Sequence, residues 1–344
     1  MVMQIYASTV ITTGIIADLA ALHDALITPQ GFISSTDDTA VVGTGSGHEV
    51  TVRGRVIGDD MGIMLGDSHT TDIGQSVTVE EGGRVAAAAS YGVLVKGIEG
   101  VVTNHGDITG AYGVGLYGEG AGTHSTLINT GRIIGTDPLG TAIHRFGAED
   151  FTLINRGLVK SSNGVAFDGT TSSAIQTIIN SGKFVGSIYF GSGDDVYRSG
   201  RNGDVTANVF GAGGEDRMIG GRKADWFWGE EDRDTLTGGA GRDRFAFDGP
   251  THSIAEPWGR DRITDFQRGE DRIFLGLDAA QSTGLNEDFT FLGRAAFSGD
   301  ESELRYRYEG RKTIVEGDTD GDGFADLAIE LDGRMKLSEG DFIL

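Results

Sequence analysis

Residues 211–246 read GAGGEDRMI-GGRKADWFW-GEEDRDTLT-GGAGRDRFA, consecutive nine-residue units held in one register. Each unit opens on a glycine (Gly211, Gly220, Gly229, Gly238) and carries an aspartate sixth (Asp216, Asp225, Asp234, Asp243). An apolar residue stands eighth in each: Met218, Phe227, Leu236 and Phe245. Glycine tolerates backbone angles closed to other residues, so each unit begins in a tight turn. The alternation that follows, as in Phe245-Ala246-Phe247, reads as a short strand with one buried face. A turn that aims carbonyl oxygens inward and adds a carboxylate suits a hard cation, because calcium takes roughly six to eight oxygens at about 2.3–2.6 Å. Candidate metal ligands in these turns are Gly211, Gly213, Asp216, Gly220, Asp225, Gly229, Asp234, Gly238, Ala240 and Asp243. The stretch "GSGDD" at 191–195 reads as one further, offset turn and adds Gly191, Gly193 and Asp195.

These units match G-G-x-G-x-D-x-U-x and so resemble the calcium-binding repeats of RTX proteins. The resemblance implies a calcium-binding parallel β-roll over 191–247 in which two units make one coil, the turns of alternate units stack on one edge, and several Ca2+ ions bind. Asp216 is then expected to share an ion with the turn of 229–234, and Asp225 with that of 238–243. Lys223, Glu230 and Asp232 stand where the repeat has glycine, so fewer or looser ions are expected than from ideal units. Past 247, "GRDRITDFQRGEDRIFL" (259–275) is similar to the segment that follows the roll in serralysin-type secreted proteases. It contributes Asp261, Asp265 and Asp271 as candidate ligands, in the company of Ile263, Phe266, Gly269, Ile273 and Leu275. "DTDGDGFAD" (318–326) adds Asp318, Asp320, Asp322 and Asp326 at calcium-loop spacing. Ile329 stands where an EF-hand needs its bidentate glutamate, and the strand-like "LAIEL" follows, so an acidic hairpin turn is the competing reading. The terminal "GDFIL" resembles the uncleaved signal of type I secretion substrates. A serralysin-like region with that signal is therefore expected over 248–344.

Composition points the same way. The chain has 344 residues, 57 glycines, 4 prolines and no cysteine. Its formal charge is -23, which argues against nucleic acid or an anionic membrane as partner. Disulfides, zinc–thiolate sites and cysteine nucleophiles are excluded. No stretch is long and apolar enough to span a membrane, and "MVMQIYASTVITTG" lacks the marks of a cleaved secretory leader. Residues 191–344 hold 33 acidic and 19 basic residues against 18 and 9 in 1–190, which sets a boundary near 190.

Upstream of that boundary a longer repeat takes over. "VTNHGDITG", "LINTGRIIG", "LINRGLVKS" and "IINSGKFVG" carry Asn104, Asn129, Asn155 and Asn180 at spacings of 25, 26 and 25 residues. A second line runs through "YGVLVKG" (91–97), "YGVGLYG" (112–118), "NGVAFDG" (163–169) and "GSIYFGSG" (186–193). About 25 residues with three short β-branched strands and glycine turns describe one coil of a right-handed parallel β-helix over 32–190. The asparagines are expected to stack as a ladder; the turns near Arg53 and Glu81 lack one. Residues 16–27, "IADLAALHDALI", carry apolar residues at helical spacing and are expected to form a helical cap, so that 1–31 comprises an N-terminal strand and that cap. The fold class is all-β, a parallel β-helix continuing into a β-roll and a β-rich C-terminal region.

The β-helix itself carries no familiar catalytic signature. "HEVTV" at 48–52 is not H-E-x-x-H, and no G-x-S-x-G occurs. His105, His124, His144 with Arg145, and Asp168 are the residues a polysaccharide lyase or epimerase would draw on, but they fall singly in different strands and turns. A secreted, extracellular or cell-surface protein of structural or adhesive role is expected, exported by the type I secretion machinery and folding on calcium outside the cell. It is expected to self-associate as a homo-oligomer or polymer, with a polysaccharide as the remaining candidate partner. Residues 1–13 are expected either to pair with their own first coil or to add to a neighbour's sheet. Trp226 and Trp228 flank the inward Phe227, and segment 248–344 is expected to cover their indoles.

Overall fold

Asn104, Asn129, Asn155 and Asn180 lie one above another, each fully buried. The computed structural model that shows this describes residues 2–19, 23–249, 251–276 and 289–344. Asn104 Nδ2 donates to Asn129 Oδ1 at 2.8 Å, Asn129 to Asn155 at 2.8 Å, and Asn155 to Asn180 at 2.9 Å. Two residues after each asparagine stands a glycine, and close stacking of the coils requires it. A Cβ at Gly131 would lie 2.1 Å from the Gly106 carbonyl oxygen, one at Gly157 2.0 Å from that of Gly131, and one at Gly182 2.2 Å from that of Gly157. In the earlier coils Val52 and Val79 take the asparagine's register position and are buried.

The chain divides into two compact units, one of residues 1–192 with 203–207 and the other of 193–202 with 208–344. The first is a parallel β-solenoid. A representative coil comprises strands Val101–Asn104, Asp107–Gly110 and Tyr112–Tyr117; the next comprises His124–Asn129, Arg132–Gly135 and Ile143–Phe146. Pairing is parallel and in register, with Val102 opposite Leu127, Ile108 opposite Ile133 and Val114 opposite Ile143. All of these residues are buried, so each strand face gives one apolar column of the core.

In the described part of 16–27 the expected helix is not formed, and residues 20–22 lie outside the described residues. Ala17–Leu19 and His23–Ile27 are strands; the first pairs with Val41–Gly43 and the second with Val2–Tyr6 and Glu49–Val52. Ala17, Leu19, Ala25 and Ile27 are buried at a period of two. In so short an apolar stretch that period and the helical one place many of the same residues inward. Among the described residues the helical structure is a single 3-10 turn, Glu339–Asp341. Val2–Tyr6 and Thr9–Thr12 pair with His23–Ile27 and Phe32–Ser35, so residues 2–12 add strands to their own solenoid.

The second unit is a roll. Val196–Ser199, Arg217–Ile219, Thr235–Thr237 and Arg262–Ile263 pair in parallel on one side. Val209–Phe210, Trp226–Trp228, Arg244–Phe247 and Arg272–Leu275 do so on the other. Met218, Phe227, Leu236 and Phe245 are buried, as the eighth position of each nonad requires. The parallel ladder does not stop at 247. Ile263 and Ile273 extend the two core columns, then Leu327–Asp332 pairs with Arg262–Ile263 and Phe342–Ile343 with Arg272–Leu275. An antiparallel meander, Glu303–Glu309, Lys312–Asp318 and Leu327–Asp332, completes the described part of this unit. Trp226 and Trp228 face away from the core, and Phe274 packs edge-on against both, with ring centroids 6.1 and 5.7 Å away.

Candidate metal centre

The nonad aspartates form two ladders. In the first, the Asp195 N–H donates to Asp216 Oδ1 at 2.7 Å, Asp216 N–H to Asp234 Oδ1 at 2.8 Å, and Asp234 N–H to Asp261 Oδ1 at 2.9 Å. In the second, Asp225 N–H donates to Asp243 Oδ1 at 2.8 Å and Asp243 N–H to Asp271 Oδ1 at 3.0 Å. All seven carboxylates are buried. Each ladder steps by two nonads and then crosses into the 259–275 segment, so Asp261 and Asp271 continue the sixth position of the repeat.

One oxygen of each rung is therefore spent on backbone. The other is not always satisfied. Oδ2 of Asp216, Asp234, Asp243 and Asp261 is buried without a hydrogen-bond partner among the described residues. The glycine that opens each nonad is the floor beneath that atom. A Cβ at Gly211 would lie 2.1 Å from Asp216 Oδ2, and one at Gly229 2.1 Å from Asp234 Oδ2 and 3.0 Å from Asp261 Oδ2. Two unpartnered carboxylate oxygens thus converge over Gly229.

Such an arrangement is unfavourable on its own. A buried carboxylate oxygen that accepts nothing loses its hydration without replacement, and adjacent carboxylates repel. The protein's own response is protonation. Burial, reinforced by the neighbouring Asp234 charge, pushes Asp216 up to about 10. Burial raises Asp234 to about 8 and Asp243 to about 7, and it holds Asp261 well above the ordinary carboxylate range. A divalent cation removes the conflict directly, since it accepts the orphaned oxygens and neutralises the charge. The residues present fit such an ion.

Turn geometry follows the repeat closely. Ala212 and Gly214, Glu230 and Asp232, and Gly239 and Gly241, at positions two and four of their nonads, all have positive φ. Glu230 and Asp232 thus adopt the glycine conformation although they carry side chains, with φ of 70° and 73°. The departure lies in the second nonad, where Gly221 and Lys223 are not left-handed. Turns of alternate units stack as expected: Glu231 N–H donates to the Ala212 carbonyl at 2.8 Å and Ala240 N–H to that of Gly221 at 2.9 Å. The Gly193 carbonyl sits under Gly214, Gly213 faces open space, and Gly220 lies against Asp225 Oδ2. Gly191 belongs to the first unit, packed on the Ser172 carbonyl. Asp225 Oδ2 accepts from Gly221 N–H at 2.9 Å. Both oxygens of Asp265 accept from the backbone of Gly238 and Gly239, each at 2.8 Å.

A second acidic group lies in the meander. Asp318, Asp320 and Asp326 bring carboxylate oxygens within 4.8 Å of one another. Asp322 is not in this group; its Oδ1 accepts from Phe324 N–H at 2.8 Å. Asp318 accepts from Gly321 and Gly323 N–H at 2.8 and 2.9 Å, which organises a turn between antiparallel strands.

Of the histidines considered for catalysis, His105 bonds Thr130 Oγ1 at 2.7 Å in a turn and His124 opens a strand. Arg145 is buried and paired with Glu149. His48 is also buried, each ring nitrogen 2.8 Å from a carbonyl oxygen, of His23 and Thr44. His144 has different company: its Nδ1 lies 2.9 Å from the Tyr91 hydroxyl and 3.0 Å from that of Tyr117.

The family model described as peptidase M10 serralysin C terminal matches residues 177–344. Residues 177–344 are thus similar to the serralysin C-terminal region. The aspartate ladders and the 259–275 segment lie within this serralysin-type region, and regions of this RTX type bind calcium generally. None of the curated proteins matches the chain. Among solved structures, the solution structure of the AlgE6R3 subunit from the Azotobacter vinelandii mannuronan C5-epimerase is 23% identical and covers 49% of this chain and 78% of its own, with a TM-score of 0.26. That likeness is too slight to bear on activity.

Proposed function

We propose that this is an RTX-type extracellular protein whose serralysin-type region folds around calcium after type I export and whose β-helix serves a structural or adhesive role in a self-associating surface coat, matrix or filament. One observation carries the calcium reading: Oδ2 of Asp216, Asp234, Asp243 and Asp261 is buried and unpartnered. Asp216, Asp234 and Asp261 would hold ions along one edge and Asp243 along the other, with the glycine-turn carbonyls completing the oxygen set. The bound ion supplies positive charge to a crowded acidic edge. At cytosolic calcium the like charges oppose folding; extracellular calcium suits modules with dissociation constants of about 10⁻⁴–10⁻³ M. An ion that binds only the folded state stabilises it by mass action.

Regular coils and a ladder-built core support the structural role. The test is far-UV circular dichroism and negative-stain microscopy on the full chain with and without calcium. Loss of β signal from the second unit on chelation, and ordered assemblies in calcium, are expected. A full β signal in excess chelator overturns the calcium reading, and discrete monomers at high concentration in calcium overturn the self-association.

A further inference from the structure

Three consecutive coils of the first unit place a hydrogen-bonded aromatic cluster on one outward face. Strand Tyr91–Lys96 pairs with Tyr112–Tyr117, which pairs with Ile143–Phe146, so Leu94, Gly115, His144 and Asp168 form one row across the coils. Gly115 decides the arrangement. A Cβ there would lie 2.8 Å from Tyr91 Cε1, so its absence lets the Tyr91 ring lie across the row. Tyr91 then stacks on Tyr112 with centroids 4.8 Å apart and reaches the Tyr117 hydroxyl at 2.5 Å. Both hydroxyls meet His144 Nδ1, at 2.9 and 3.0 Å. An excursion from an earlier coil borders the cluster. His69 stacks on Tyr117 with centroids 6.0 Å apart, and its carbonyl accepts from Glu119 N–H at 3.1 Å.

The triangle of Tyr91, Tyr117 and His144 is incomplete as chemistry. Burial lowers the basicity of His144, which favours the neutral ring. With Nδ1 as the acceptor, two hydroxyl protons serve three contacts, so one contact lacks a hydrogen and the phenolic oxygens keep lone pairs for an outside donor. The ring proton then sits on Nε2, which has no hydrogen-bond partner among the described residues. Next in the row, Asp168 Oδ1 accepts from Thr170 N–H and Oγ1, and its other oxygen accepts nothing among the described residues. Tyr112, Tyr117, His144 and Asp168 are all partly exposed. The face therefore offers an N–H donor between oxygen acceptors, beside an aromatic ring. Two formal charges border it, those of Asp168 and of Lys96, which stands opposite Tyr117, while Arg145 is buried in its pair with Glu149.

We infer that this face binds a hydroxyl-rich saccharide, with Tyr112 as stacking platform and Tyr117, His144 and Asp168 reading adjacent hydroxyls. Vicinal hydroxyls match the alternation of donor and acceptor, and the apolar face of a sugar ring suits a tyrosine. The site lies wholly in the first unit and does not depend on the calcium reading.

The test uses the full chain in calcium. Saturation-transfer NMR and calorimetry are run against neutral gluco-, manno- and galacto-oligosaccharides, with oligouronates alongside. Binding of at least one of these oligomers is expected, weakened tenfold or more in Tyr112→Ala and His144→Ala and several-fold in Tyr117→Phe. Binding of none of them, or unchanged affinity in folded Tyr112→Ala, overturns the inference. Should the alanine variants fail to fold, chemical-shift mapping on the wild-type chain decides: perturbation must centre on the Tyr112 and His144 rings, and perturbation elsewhere contradicts it.

Discussion

Asp216 donates its backbone N–H to Oδ1 of Asp234, eighteen residues later, at 2.8 Å, while Oδ2 of both residues stays buried without a partner. The same carboxylate thus aligns the coils with one oxygen and leaves the other free for the proposed ion. Removing it separates the two roles. Asp234→Asn keeps an acceptor for the Asp216 N–H but removes a charge. Calcium affinity is expected to fall tenfold or more, as read by calorimetry and by the calcium concentration at which the second unit gains its β signal. Equal affinity in the variant excludes Asp234 as a ligand.

The pH dependence has a definite sign. Asp216 at about 10, Asp234 at about 8 and Asp243 at about 7 all lie above their unfolded value of 3.8. In the metal-free chain the stability they contribute is fully present below that unfolded value and is lost as pH rises through the folded ones. In calcium-depleted buffer the β signal of the second unit should therefore be largest near pH 5 and decline towards pH 9. Calcium affinity should rise over the same span, because binding displaces those protons. A metal-free chain that is most stable at pH 9 contradicts this assignment.

Glu230 and Asp232 hold left-handed backbone that glycine adopts without strain. Replacing either by glycine should stabilise the calcium-bound second unit by about 1 kcal/mol, by relief of strain. Chemical denaturation checks this, and destabilisation would mean that their side chains hold the turn.

Within the first unit, Asn129→Ala removes one bond from Asn104 and two to Asn155 and Leu158, leaving buried groups unpaired. A loss of about 2–4 kcal/mol is expected, confined to the first unit and independent of calcium. Gly157→Ala should be worse, since its Cβ would strike the Gly131 carbonyl at 2.0 Å, whereas Gly122→Ala meets nothing within 4 Å and should cost about 1 kcal/mol for its positive φ. Similar melting temperatures for these two glycine variants would refute the steric argument.

Much of this was legible in the sequence because solenoids repeat their physics. The asparagines and nonad aspartates recur at the spacing of a coil, and the coil stacks them. The strands at 17–19 and 23–27 were not legible, since short apolar runs satisfy helical and strand periods alike. Tyr91, Tyr117 and His144 were visible only as lines of the repeat. They meet because their strands stack in parallel register across consecutive coils, and because Gly115 leaves room for a ring. Asp322 stands outside the group of Asp318, Asp320 and Asp326, and its Oδ1 accepts from Phe324 N–H within the turn.

The most direct measurement is a crystal structure grown in calcium, with anomalous scattering used to locate ions. Density is expected at about 2.3–2.6 Å from Oδ2 of Asp234 and Asp261, over Gly229. Those oxygens bonded to water or to protein donors, with no ion between them, would contradict the account.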